Sequence, residues 1–243
     1  MTSPPSHNVS PTKRTIYPQF QLAKREDTKL KQSVPPPRKN PGGSSAGGRR
    51  APSACPQDTS ALATNSELVA LTPKTQPDST LAARPTFFVY VPKTSAKTAE
   101  FSLRDRKGMG VYRTTLALTK TPAIVRLSLP DQTPSLDVNQ QYVWSFAVIC
   151  NPNDRLDDRF VSGTVQRITI DSVRLRQIQQ ASPREQVSLY QQAGLWYDAL
   201  AVVYELQRAY PNDASINTTW QEFLRSSGVD SLMDNKSSQK SLR

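Results

Sequence analysis

The chain has 243 residues, 20 prolines and a formal net charge of +11, with two cysteines and a single histidine. It contains no C-x-x-C pair and no cluster of Cys and His, which argues against a structural zinc site. No apolar run approaches the length of a membrane-spanning helix. The length allows one or two domains.

Residues 1–54 are predicted to be a disordered basic tail rich in Pro, Gly and Ser. They hold ten Lys and Arg residues against two acidic ones, so most of the positive charge lies here. They offer too little apolar surface to offset the entropy lost on ordering. Binding of nucleic acid or another polyanion through this tail is one hypothesis. Tyr17 and Phe20 are its only aromatic residues, too few for a base-stacking platform.

Residues 55–171 are predicted to form a β-sandwich domain of seven antiparallel strands, of the immunoglobulin-like kind. Short runs with alternating apolar side chains are separated by turn signals throughout this region. The predicted strands are residues 68–72, 86–91, 99–103, 110–118, 122–129, 141–150 and 159–170. Gly163 interrupts the last of them and predicts a bulge there.

The clearest predicted strand is 141–150. Because side chains alternate with a period of two, one face carries Tyr142, Trp144, Phe146, Val148 and Cys150. Leu136 lies six residues before Tyr142, a spacing typical of a tyrosine corner. The pattern predicts a buried sandwich core with Cys150 at its edge.

Residues 172–233 are predicted to be a C-terminal helical segment, and 234–243 a second disordered tail. Ser182, followed by Pro183 and by Glu185, forms a capping box that starts the first helix. The segment is predicted to contain a hairpin of two helices, about residues 183–193 and 197–209, and one further helix that includes residues 216–224.

The hairpin resembles half of a tetratricopeptide repeat. The residues with the matching spacing are Gly194, Ala199, Val203, Leu206 and Pro211. A peptide-binding groove is the functional interpretation. We favour a single hairpin packed on the sandwich, because only one unit is visible and a solenoid needs several. A candidate partner contact is formed by Leu195, Trp196 and Tyr197, provided that these side chains are exposed.

Cys55 and Cys150 have two interpretations. They form a disulfide that ties the start of the fold to the last core strands, which requires an oxidising compartment, or they are unconnected thiols. A catalytic Cys150 is not expected, because His7 lies in the tail and no other histidine exists to act as its base. The loop 151–158 offers oxygens to calcium, but we favour a turn in which Asn and Asp bond their own backbone. We therefore expect no metal and no cofactor.

Several motifs together resemble a cyanobacterial family of domains of unknown function, over about residues 52–230. They read PTFFVYVP from Pro85, VYRT from Val111, CNPNDR from Cys150 and GLWYDAL from Gly194. The resemblance implies a β-rich part followed by a helical part, and no particular activity. Similar proteins commonly carry an export leader and a linker before a Cys at the position of Cys55. The resemblance thus favours a periplasmic or extracellular location, whereas this sequence shows no readable signal peptide, which leaves the cytoplasm as the alternative.

The function that we favour is a non-enzymatic exported module of the cell envelope, either structural or binding an unidentified protein. The sequence contains no nucleophile elbow, phosphate loop or dinucleotide fingerprint, so we expect no enzymatic activity. Polyanion binding through the tail is the alternative, with nucleic acid the weaker choice of partner. A third hypothesis is an envelope hydrolase that uses paired carboxylates such as Asp157 and Asp158.

Overall fold

A computed structural model of the protein describes residues 55–58, 67–74 and 78–229, which fall within one compact unit. Within these residues, eight strands in two sheets precede four α-helices. The strands are β1 (Val69–Ala70), β2 (Ser79–Thr80), β3 (Thr86–Val91), β4 (Thr98–Asp105), β5 (Gly110–Ala117), β6 (Ala123–Ser128), β7 (Gln141–Ile149) and β8 (Arg159–Arg167). The helices are α1 (Ser172–Gln180), α2 (Pro183–Gln192), α3 (Trp196–Ala209) and α4 (Ala214–Ser226).

One sheet has three strands in the order β1-β3-β6, and the other has five in the order β2-β8-β7-β4-β5. All neighbours are antiparallel except β2, which runs parallel to β8. The prediction of seven strands, all antiparallel, was therefore wrong in both respects because of β2. This strand consists of one Ser and one Thr, and so short a polar pair carries no alternation by which to recognise it.

Aromatic rings join the two sheets. The ring of Phe87 on β3 lies 5.0 Å from that of Phe101 on β4 and 5.3 Å from that of Trp144 on β7, centroid to centroid. All three side chains are at most 1% exposed. Tilted rings at such distances pack favourably beyond the area that they bury, and they place the centre of the core between the sheets.

The buried face predicted for residues 141–150 is confirmed. Its alternate residues are at most 8% exposed: Tyr142, Trp144, Phe146, Val148 and Cys150. The predicted tyrosine corner is also present, because the Asp137 backbone N–H donates to the Tyr142 hydroxyl at 3.0 Å, beside the fully buried Leu136.

Gly163 does not mark a bulge. The register between β7 and β8 runs without a shift through the pair of Trp144 and Gly163. A Cβ atom at Gly163 would lie 2.8 Å from two ring carbons of Trp144 and 2.8 Å from the Thr72 methyl carbon. The glycine is therefore required for a close approach of the indole to β8, not for a change of strand geometry.

The helical segment contains one helix more than predicted. The additional helix is α1, which has a single buried residue, Ile178, so its apolar periodicity is too weak to predict a helix from the sequence. Its N-cap is Asp171, whose carboxylate accepts from the Arg174 N–H at 2.9 Å. The capping box predicted at the start of α2 is confirmed, with reciprocal bonds between Ser182 and Glu185.

α2 and α3 form the predicted hairpin. Gly194 between them has a φ of +70°, the left-handed conformation that glycine adopts without strain. α4 follows, capped by Asp213, whose carboxylate accepts from the Ile216 N–H at 3.0 Å. None of the described helices is long and apolar enough to cross a membrane. The predicted tails, 1–54 and 234–243, lie outside the described residues.

Candidate functional site

The predicted contact residues at the start of α3 are not on the surface. Leu195, Trp196 and Tyr197 are 0%, 4% and 1% exposed. The predicted contact required their exposure, so that interpretation is wrong for this structure. The aromatic character that suggested a contact surface instead fills the interior between the helices and the sheets.

Hydrogen bonds show what Trp196 and Tyr197 do there. The indole N–H of Trp196 donates to the Leu71 carbonyl at 3.1 Å, just after β1. The indole N–H of Trp144 donates to the Tyr197 hydroxyl at 2.9 Å, and that hydroxyl donates to the Thr164 carbonyl on β8 at 2.6 Å. Burial raises the pKa of Tyr197, so its hydroxyl stays neutral. These bonds fasten α3 to both sheets.

Asp198 is the third residue in the first turn of α3 that bonds this helix to the β-rich part. Its carboxylate accepts from the Leu81 backbone N–H at 3.0 Å, in the loop that follows β2. Burial raises the pKa of Asp198 to about 6, against the opposing effect of hydrogen bonds from Thr80 and Leu81. The raised pKa of Asp198 is thus explained by the burial of its carboxyl group in this structural contact.

A disulfide fastens the opposite end of the sheets. The Sγ atoms of Cys55 and Cys150 are 2.00 Å apart, and their Cα atoms are 5.3 Å apart, within the usual range. Asp58 holds the turn that contains Cys55: its carboxylate accepts from the backbone N–H of Cys55 at 2.9 Å and of Ser95 at 2.6 Å. Partial burial would raise the pKa of Asp58, but these bonds and the Ser95 hydroxyl lower it overall.

The loop after Cys150 has the expected turn geometry. The side chain of Asn151 accepts from the Asn153 N–H at 3.0 Å, and that of Asp154 accepts from the Leu156 N–H at 3.0 Å. Arg155 forms an ion pair with Asp158. In the part of the chain that the structure describes, no three Cys, His, Asp or Glu side chains form a group able to hold a metal ion.

A groove of about 260 Å³ lies between α2, α3 and α4, and we call it the helical groove. Its floor is apolar and buried, and consists of Val187, Val203, Leu206 and Ile216. Its rim is polar, and consists of Arg184, Ser188, Gln191, Ser215, Thr219 and Glu222. At one end, Arg184 of α2 and the cap Asp213 of α4 form an ion pair at 2.7 Å. This pair places the N-terminal ends of α2 and α4 side by side.

The residues of the groove were only partly visible in the sequence. Val203 and Leu206 belong to the repeat-like spacing that raised the possibility of a peptide groove. The small polar residues of the rim carried no motif, since Ser, Thr and Gln at these positions are equally typical of a solvated helix face. What distinguishes them is that two helices place them around one apolar floor.

Among the solved structures that match, two are similar to less than half of this chain. CopC from Methylosinus trichosporium OB3b is 17% identical, with 43% of this chain and 99% of that chain covered and a TM-score of 0.27. The sensor domain of the anti-sigma factor RsgI4 in Pseudobacteroides cellulosolvens is 11% identical, with 44% and 92% covered and a TM-score of 0.28. Such low TM-scores support no argument about function.

No curated protein matches the chain. The expected membership of a family of unknown function is confirmed at that level, because residues 45–237, which include all of the described residues, match one family. The chain belongs to the family described as Domain of Unknown Function (DUF928).

Proposed function

We infer that the protein is a non-enzymatic, exported interaction module whose helical groove binds an extended segment of another protein. The observation that carries this inference is the composition of the groove, an apolar floor under a rim of hydroxyl and amide groups. The floor suits an apolar side chain, and the rim offers donors and acceptors to a peptide backbone.

The dimensions and charges of the groove favour a peptide over a small metabolite. Its volume of about 260 Å³ is below the roughly 300–1,000 Å³ of typical small-molecule pockets. Its rim carries one cation, Arg184, and one anion, Glu222, on different helices. A peptide with a central apolar residue and few charges fits this arrangement, because no strong field of either sign selects a charged ligand.

The fastenings of α3 support the same function. Val203 and Leu206 of the floor lie one to three turns along the helix whose first turn is bonded to both sheets through Trp196 and Tyr197. A floor that is held in this way is preorganised, which lowers the entropy cost of binding a peptide.

The disulfide supports export. Disulfides persist in the periplasm and outside the cell, and are rare in a reducing cytosol. Peptide mapping of the native protein, with thiols blocked at lysis and no reductant added, tests this part of the proposal. A linked Cys55–Cys150 peptide is expected, and two blocked thiols would contradict export.

Support for a non-enzymatic role comes from Asp198. Burial strongly raises the pKa of its carboxyl group, and such a shift often marks a catalytic acid. Its carboxylate accepts a hydrogen bond from the Leu81 N–H, and the residue does not line the helical groove. The raised pKa of Asp198 therefore accompanies a structural contact and does not point to a catalytic acid in the groove.

The groove is tested by selecting peptides from a random library on the full chain and measuring their affinity for rim variants. Ser188→Arg and Thr219→Arg each place a long cation in the groove, and we expect each to weaken binding at least about tenfold. Thr218→Arg is the matched control, because this exposed neighbour on the same helix does not line the groove.

Affinity that falls in both rim variants and is unchanged in Thr218→Arg supports the proposal. A library that yields no binder, or binders to which the rim variants are indifferent, would refute it. Circular dichroism of each variant shows whether a lost affinity reflects a lost fold.

The alternative, polyanion binding, rests on the ten basic residues within 1–54. It predicts an affinity for heparin or DNA that falls steeply with salt and is abolished when these residues are deleted. Binding that is insensitive to salt would eliminate it.

A further inference from the structure

β5 is the outermost strand of the five-stranded sheet, and among the described residues only β4 pairs with it. It is eight residues long and contains no proline and no acidic residue. Its one charged side chain, Arg113, forms an ion pair with Glu100 of β4 at 2.7 Å. Sheets usually protect such an edge with free charges, proline or extreme shortness, and β5 has little of this protection.

The other sheet edges are better protected. At the far side of the same sheet, β2 is only two residues long. In the three-stranded sheet, β1 is also only two residues long, and β6 directly follows Pro122. The five-stranded sheet can therefore extend readily only beyond β5.

The directions of the backbone groups in β5 follow from its pairing with β4. The Leu118 N–H donates to the Lys97 carbonyl at 2.7 Å, and in an antiparallel pair the bonded positions alternate. The N–H and C=O groups of Arg113, Thr115 and Ala117 therefore point away from β4. They form a row of donors and acceptors along the edge.

We propose that two copies of this chain associate through antiparallel pairing of their β5 strands, with the two-fold axis at Thr115. In this register Thr115 lies opposite Thr115 of the second copy, Arg113 opposite Ala117, and Tyr112 opposite Leu118. The two five-stranded sheets become one continuous sheet. The irregular end of β5, where its register with β4 shifts, lies outside the paired stretch.

The inward face of the edge explains why a second copy is a suitable partner. Tyr112 and Leu116 are only partly buried, although both pack on the core and the Tyr112 ring lies 6.4 Å from that of Phe101. A pairing strand must bring apolar side chains to alternate positions on this face. The second copy brings Leu118 and Leu116, and aromatic–aliphatic neighbours across strands are favourable.

The outward face sets the register. Arg113 faces the small, uncharged Ala117 of the second copy, so no like charges lie opposite one another. A register centred on Arg113 would place two guanidinium groups face to face, which is unfavourable. Because the same strand serves both copies, the contact is closed after two chains and does not lead to fibres.

Sedimentation of the full chain at physiological ionic strength, over a range of concentrations, tests the association. The expected species has twice the mass of the 27.0 kDa chain. Thr115→Pro removes an outward N–H without removing a bond to β4, and we expect it to raise the dimer dissociation constant at least about tenfold. A monomer at every concentration, as expected if another part of the chain covers the edge, would overturn the proposal, and so would a dimer that Thr115→Pro leaves unchanged.

Cysteine cross-linking tests the register independently of how Thr115→Pro folds. Opposite residues at a hydrogen-bonded position have Cα atoms about 5.5 Å apart, which a disulfide can span. Thr115→Cys is therefore expected to give covalent dimers under mild oxidation. Ala117→Cys is the matched control, because its two copies would lie about 14 Å apart along the strands. Equal cross-linking of both variants, or none of Thr115→Cys, would contradict this register. Neither experiment depends on the helical groove.

Discussion

The first turn of α3 and its later turns belong to one helix, yet they face different surroundings. Trp196, Tyr197 and Asp198 are bonded to three separate parts of the β-sheet region. Val203 and Leu206 instead form the floor of a groove with a polar rim. One part of the helix is bonded to the β-rich part, and the other forms the floor of the helical groove.

The two parts of α3 also differ in how readily their sequence is recognised. The aromatic residues of the first turn stand out because each must fill a fixed space and also satisfy a polar atom there. The rim of the groove is made of small polar residues, which many sequences can supply. A conspicuous motif in this chain therefore indicates internal structure more than a contact surface.

The largest effect on stability is expected from removing the disulfide between Cys55 and Cys150. The disulfide closes a loop of 95 residues, so replacing both cysteines by serine is expected to lower the free energy of unfolding by about 4–5 kcal/mol on the chain-entropy account. Urea unfolding of the variant, beside the wild type with and without reductant, measures this. An unfolding curve that neither change moves would mean that the disulfide does not constrain the chain.

Tyr197→Phe tests the hydrogen bonds that the Tyr197 hydroxyl forms with Trp144 and Thr164. The variant keeps the ring but leaves the Trp144 N–H without its acceptor, at an expected cost of about 1–3 kcal/mol in urea unfolding. Tyr204→Phe is the matched control on the same helix, since among the described residues that hydroxyl accepts a hydrogen bond only from the exposed Arg208, at 3.3 Å. Equal losses of unfolding free energy in the two variants would contradict the difference between the two parts of α3.

Asp198 is predicted to make stability depend on pH. Its pKa is about 6 in the folded chain against an ordinary 3.8, so between these values the folded state binds the proton more tightly than the unfolded state. Acidification from pH 7 to 5 is thus expected to stabilise the wild type by about 1 kcal/mol relative to Asp198→Asn, which retains an oxygen to accept from Leu81. Parallel pH profiles of unfolding for the two proteins check this, and identical slopes would contradict it.

The smallest effect on stability is expected at the groove. Ser188→Arg is predicted to change the free energy of unfolding by less than about 0.5 kcal/mol, because the side chain is exposed and has no bonded partner to lose. Thermal melting measures this. A large loss would mean that the rim is structural, and that the bonded part of α3 and the helical groove are not separate.

Much of the β-rich part could be predicted, because alternation and turn signals are local. Trp144 and Tyr142 lie where the spacing of β7 places them, and Ser182 caps α2 as its motif requires. The parts that failed depend on distant contacts. The sequence pattern cannot show that Gly163 makes room for an indole on β7, or that Tyr197 lies against β8 rather than in solvent. The helical groove needed three helices to be placed before its rim existed.

The disulfide also has a mechanical consequence. A pull on the chain ahead of Cys55 passes through the sulfur atoms to Cys150, at the end of β7. Strands β1 to β7 lie within the bridged loop and carry none of that tension along their backbone. If the chain is tethered through its first residues, the force acts on β8 and the helices beyond it, while the greater part of both sheets bears no force along its backbone.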